Sequence, residues 1–184
     1  MDIAKTFIPK TILLWEKVAD HPEAQRIMRL FPSAQVRIIE HQRKPHSPDT
    51  SFAQELLAGK RTMMIGQTSS FIGKFDGRLG NNLHCCPYYK LVPISKGCPY
   101  YYTYCYLAFV YRKYSPFIKI NINYDTMFKQ IQKTTSFTRN KISFNMGEML
   151  DSLALDHINN LTNKLVPFFS RYAYKASQHS TIHQ

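Results

Sequence analysis

The 184-residue sequence carries 44% hydrophobic and 20% charged residues, which suits one globular core with or without an extension and excludes a disordered chain. Twenty-four Lys and Arg against twelve Asp and Glu give a net charge of +12; this suits DNA or another nucleic acid as partner, because basic side chains release counterions on meeting phosphates, with a solvated basic surface as the alternative. No segment reaches the roughly 20 apolar residues of a membrane helix, and MDIAKTFIPKTILLWEKVAD has no apolar core followed by a small-residue cleavage site, so a cytoplasmic protein with no membrane partner is expected.

Residues 11–19 (TILLWEKVA) show helical spacing of apolar positions. A break at Asp20–His21–Pro22 precedes a second short helix over residues 23–30, which stops before Pro32. Residues 35–40 are rich in β-branched side chains and read as a strand, and HQRKPHSPDT reads as a loop. Residues 51–58 form a helix ended by Gly59, and residues 62–65 a strand. Gly73, Gly77 and Gly80 mark a turn-rich stretch.

Beyond residue 90 the pattern becomes regular. Residues 91–94 are a short apolar strand, residues 104–111 a helix, and residues 117–123 (FIKININ) a second strand. Asp125 is placed to cap a helix reaching Lys133, with Met127, Phe128 and Ile131 on one face. Residues 141–145 give a third strand, and residues 152–169 the longest helix, striped by Leu153, Leu155, Ile158, Leu161, Leu165 and Phe168. Three strand–loop–helix units predict an α/β fold of right-handed parallel βα units. The expected organisation is an N-terminal α/β region over 1–90, a βα region over 91–169 and a divergent polar tail over 170–184. Three units make an incomplete barrel, and the tail offers no apolar run for a fourth strand, so the chain is expected to end before that barrel closes.

All four cysteines, Cys85, Cys86, Cys98 and Cys105, fall in one short stretch. In a chain with no secretory signature, such clustering favours metal or cluster ligation over a disulfide framework. The segment KGCPYYYTYCYL, residues 96–107, is the sharpest feature. A zinc site from Cys85 or Cys86 with Cys98, Cys105 and His84 is an alternative, although the spacing fits no C-x2-C pattern. Tyr88, Tyr89, Tyr100, Tyr101, Tyr102, Tyr104 and Tyr106 can stack on bases, although such rings more often fill a core or line a pocket. Glu148 and Asp151 form a candidate carboxylate pair, with helix capping the plainer reading for Asp151. His157 reads as a surface or packing residue, and His179 and His183 have no assigned role.

The wording CP…YCYL resembles the spore photoproduct lyase family of radical SAM proteins, as do FIKININYDTMFKQI and ISFNMGEMLDSLALDHI further along. The resemblance covers roughly residues 80–170, and it implies a partial parallel (β/α) barrel of radical SAM type. In that superfamily three cysteines spaced C-x3-C-x2-C hold a [4Fe-4S] cluster whose fourth iron chelates S-adenosylmethionine, and an external electron donor is needed to form the 5′-deoxyadenosyl radical. Cys98 and Cys105 stand at the first and third ligand positions, and Tyr102 stands at the second. By the same resemblance Tyr104 packs near the adenine and Gly147–Glu148 meet the methionine amino group. The lyases proper carry a cysteine hydrogen donor in the third βα unit, whereas residues 141–169 contain no cysteine. The expectation is a DNA-repair-type lyase relative that is weakly active or inactive, with a non-catalytic nucleic-acid-binding module as the alternative.

Overall fold

The computed structural model describes residues 7–42, 51–78, 86–100, 104, 107, 117–137, 142–146 and 151–180. Along the chain, the N-terminal elements are β1 (Thr11–Trp15), α1 (Pro22–Leu30), β2 (Gln35–Ile39), α2 (Phe52–Gly59), β3 (Thr62–Gly66) and β4 (Ile72–Phe75). They are followed by β5 (Tyr88–Leu91), β6 (Ile94–Lys96), β7 (Ile118–Asn121), α3 (Tyr124–Ser136), β8 (Phe144–Asn145), α4 (Asp156–Asn159) and α5 (Leu161–Ser180). The expected helix over residues 104–111 lies outside the described residues except at Tyr104 and Leu107.

The run Ile12–Leu13–Leu14 forms a strand, followed by a short 3-10 turn at Glu16–Val18, rather than the helix its spacing suggests. Its neighbours explain why. Strand β1 pairs in parallel with β2 on one side and with β3 on the other. Ile12 and Leu14 then join one apolar cluster with Ile27, Met63, Ile65, Ile118 and Ile120. Leu13 turns to the opposite face, with Met64 and Phe117. A strand buried on both faces loses the polar alternation that distinguishes it from a buried helix.

The five-stranded sheet has the order β2-β1-β3-β7-β6, and all its pairings are parallel except β6 against β7. Strands from both sides of residue 90 therefore share one sheet, with Met63 opposite Ile118 and Ile65 opposite Ile120. The apolar stretch expected as one strand over residues 91–94 divides at Val92–Pro93. Its first part ends β5 and its second part starts β6, because proline supplies no N–H to continue a ladder. Strand β5 belongs to a second sheet of order β4-β5-β8, antiparallel to β4 and parallel to β8. The α/β character and a parallel sheet are present, but the three strands expected beyond residue 90 do not form one parallel set: β6 runs antiparallel to β7, and β8 pairs with β5 in the second sheet.

Helices α3 and α5 cover the second sheet. Met127, Ile131, Leu161 and Leu165 pack with Phe71 and Leu91, and Phe128, Phe144, Phe168 and Phe169 close around them. Asp125 lies in the first turn of α3, whose N-cap is Asn123. The Asn123 amide is turned away from its own helix: its Oδ1 accepts from the Thr68 N–H at 3.2 Å and its Nδ2 donates to the Thr68 carbonyl at 2.8 Å. Gln130, further along the same helix, does likewise, accepting from the Phe71 N–H at 2.8 Å and donating to the Ser69 carbonyl at 2.7 Å. Two side-chain amides thus fasten the β3–β4 connection to α3.

The long helix expected over residues 152–169 is interrupted. Asn160 has φ 50°, in the left-handed region, and separates α4 from α5. Three side chains satisfy the backbone around the break. Asp151 accepts from the Leu153 N–H at 2.8 Å, Asp156 from Thr162 at 2.8 Å and Asn159 from Leu161 at 3.1 Å. Asp151 therefore stabilises a turn and not the start of a helix, and Leu153 is left exposed. His157 is exposed, as its sequence position suggests.

A charged network joins the two ends of the chain. Glu23 receives Arg26 at 2.9 Å and Lys164 at 3.1 Å. Lys164 also donates to the Asn159 carbonyl at 2.9 Å and lies 4.8 Å from the centre of the Tyr124 ring. Burial of Glu23 opposes its ionisation, but the hydrogen bonds and charges of Arg26 and Lys164 outweigh this and hold its carboxyl below the ordinary value. Burial is also the main reason that the Tyr124 phenol is pushed up. A depressed carboxylate stabilises the fold at neutral pH, and that contribution is lost as pH falls below 4.5 toward the native value. Glu23→Gln should cost about 1 kcal/mol at pH 7 and flatten the acid limb, read as urea midpoints from pH 7 to about pH 3. An unchanged acid limb would remove Glu23 from this role.

Candidate cysteine-loop site

The segment carrying Cys98 begins where β6 stops. Gly97 follows Lys96 with φ +82°, a conformation that a side chain makes strained. Its position also leaves no room: a Cβ there would lie 2.7 Å from the Phe117 carbonyl oxygen and 2.9 Å from the Ile118 Cα. The backbone of the loop therefore rests directly on the start of β7. Pro99 is buried, and Tyr100 packs against the main apolar cluster.

A second restraint comes from the N-terminal half. Lys60 directly follows α2, where the Ser51–Gln54 capping box fixes the helix start and the Lys60 N–H closes on the Leu56 carbonyl at 3.0 Å. Its side chain runs inward, leaving the residue only 8% exposed. The Lys60 Nζ donates to the Cys98 carbonyl at 2.9 Å and to the Tyr100 carbonyl. An ammonium can be buried only when its N–H groups are satisfied, and these two carbonyls accept from it. The loop is thus held on one side by close backbone contact and on the other by a buried cation.

Of the residues expected to form the site, Cys98 is half-buried and Tyr104 is 83% exposed. Tyr102, Cys105, Gly147 and Glu148 lie outside the described residues, as do Cys85 and His84. Cys86 is exposed and borders an open depression of about 480 Å3 with Tyr88, Phe144, Asn145, Met146 and Ser152. Among the described residues, no three His, Cys, Asp or Glu side chains gather as potential metal ligands. Neither Lys60 nor Gly97 stands out in the sequence: one is a lysine after a helix, the other a glycine before a cysteine. The only hint is that Gly97 immediately precedes the first cysteine of the motif.

The spore photoproduct lyase family model matches residues 7–183. The chain belongs to the spore photoproduct lyase family. It is similar to the spore photoproduct lyase of Geobacillus sp. (strain Y412MC61), with 23% identity over 92% of this chain and 48% of that protein. Solved structures of spore photoproduct lyase share the fold. A variant with bound AdoMet and dinucleoside spore photoproduct superposes with a TM-score of 0.68 at 22% identity, over 89% of this chain and 47% of the other. A variant with dinucleoside spore photoproduct gives 0.69 over 89% and 46%. The chain spans about half the length of these relatives. No helix among the described residues is long and apolar enough to cross a membrane.

On the motif alignment expected from the sequence, the donors do not match a cluster held by three thiolates. Cys98 and Cys105 supply two, and the position between them carries the phenol of Tyr102. A phenol has an ordinary pKa of about 10 and offers a hard oxygen, whereas cluster iron prefers the soft thiolate.

Proposed function

We propose that this chain is a spore photoproduct lyase relative that retains the fold and the DNA-directed role of the family but has little or no radical chemistry. The observation that carries this reading is Tyr102 at the middle ligand position of an otherwise preserved motif. When bound, a [4Fe-4S] cluster with S-adenosylmethionine would supply the radical chemistry of the family. On this reading Cys98 and Cys105 remain as thiol ligands, Tyr104 would lie against the adenine, and Gly147–Glu148 would meet the methionine amino group. An external electron donor is a partner only for a copy that turns over. The absence of cysteine from residues 141–169 supports reduced lyase activity independently, since the family's hydrogen donor has no counterpart there. The proposed setting is the cytoplasm, with DNA as the macromolecular partner.

Anaerobic reconstitution followed by iron and sulfide analysis tests this reading. The wild-type chain should retain far less than a full cluster, and Tyr102→Cys should raise retained iron severalfold, about threefold or more. A stable four-iron cluster in the wild type that cleaves S-adenosylmethionine would overturn the proposal.

A second reading, a non-catalytic nucleic-acid-binding module, is favoured by the net charge of +12. Its signature is affinity for a short DNA duplex or single strand that falls about a hundredfold between roughly 50 and 200 mM salt, as expected when about four phosphates are neutralised. Lack of binding even at the lower salt would dispose of it.

A further inference from the structure

We infer that Lys60 is a positioning residue for the cysteine loop, and that with Gly97 it fixes the shape of residues 97–100 before any metal binds. The geometry is unusual for a metal-binding loop, whose order commonly comes from the metal itself. Here the Lys60 ammonium, on a residue only 8% exposed, crosses from the end of α2 to the Cys98 and Tyr100 carbonyls. These two acceptors flank buried Pro99, so one cation holds both ends of the turn that presents the Cys98 side chain.

On the opposite side, Gly97 sits against the Phe117 carbonyl with no space for a methyl group. The two contacts come from different parts of the chain, Lys60 from the end of α2 and Phe117 from the residue just before β7. The consequence is chemical as well as structural. Hydrogen bonding to the carbonyls on either side of Pro99 fixes the Cys98 backbone, so the thiol keeps a protein-defined, half-buried position with or without a metal ligand set. This inference does not depend on the iron-cluster reading: the loop would be held whether the bound species were a cluster, zinc or nothing.

The test is the alkylation rate of each cysteine by iodoacetamide, assigned by tandem mass spectrometry on full-length protein after chelation. In the chelated wild type, half-buried Cys98 should react at least about threefold more slowly than exposed Cys86. Lys60→Met should raise the Cys98 rate about tenfold while leaving the rate at exposed Cys86 unchanged, because losing a charge-assisted donor opens the loop locally. Lys60→Arg, which keeps cationic N–H donors, should stay within about threefold of wild type. A Cys98 rate equal to that of exposed Cys86 in the chelated wild type would show that the loop has no order of its own and would overturn the inference. So would an unchanged Cys98 rate in Lys60→Met, or an equal rise at Cys86, which would mean general loosening of the fold.

Discussion

The parallel pairing of β3 with β7 is the constraint on which the rest of the structure depends. It brings residues 63–66 beside residues 118–121, so the two halves of the chain share one buried sheet. Once β7 is placed there, its first residues form the surface against which Gly97 rests. The same pairing fixes β3, and with it the turn from α2 that carries Lys60. A loop that would otherwise be a connection between β6 and the following segment becomes a restrained platform for a thiol. Side chains buried on both faces of β1, β3 and β7 supply the apolar burial that holds this arrangement, while Glu23, Arg26 and Lys164 join α1 to α5 at its margin.

Scaffold and ligand set have separate physical origins in this protein. The scaffold depends on a close backbone approach, a buried ammonium and sheet pairing, none of which uses the Cys98 thiol. The proposed ligand set depends on the identity of single side chains, and at its middle position the sequence carries the phenol of Tyr102. Such a phenol would supply no soft donor, and the described contacts that order residues 97–100 do not involve the Cys98 thiol. Family membership and present chemistry are therefore distinct properties of the chain.

Much of the architecture is legible in the sequence because local chemistry and final structure agree. Pro22 opens α1, Ser51 and Gln54 form a capping box, and Met127 and Ile131 lie on the buried face of α3. Disagreement appears where tertiary contact overrides local pattern. Ile12–Leu13–Leu14 reads as helix because burial on both faces removes alternation, and residues 152–169 read as one helix because the apolar stripe continues past Asn160, although asparagine readily takes a left-handed turn. Asn123 shows the same limit: it ends up capping α3 by position, yet its amide serves Thr68. At the site, the cysteine motif is visible in the sequence, whereas Lys60 is not. Its partners are 38 and 40 residues away, and no local pattern encodes that reach.

On the proposed reading, residues 97–100 keep their backbone restraints while Tyr102 stands where a thiolate donor is expected. Iron retained after anaerobic reconstitution of the double variant Tyr102→Cys/Lys60→Met, beside Tyr102→Cys alone, tests it most directly. Restoring the thiolate on the intact platform should let the single variant hold a cluster, and removing the Lys60 cation from that background should release most of the iron while the fold persists. A single variant that gains no iron, or a double variant that retains as much as the single, would contradict the account.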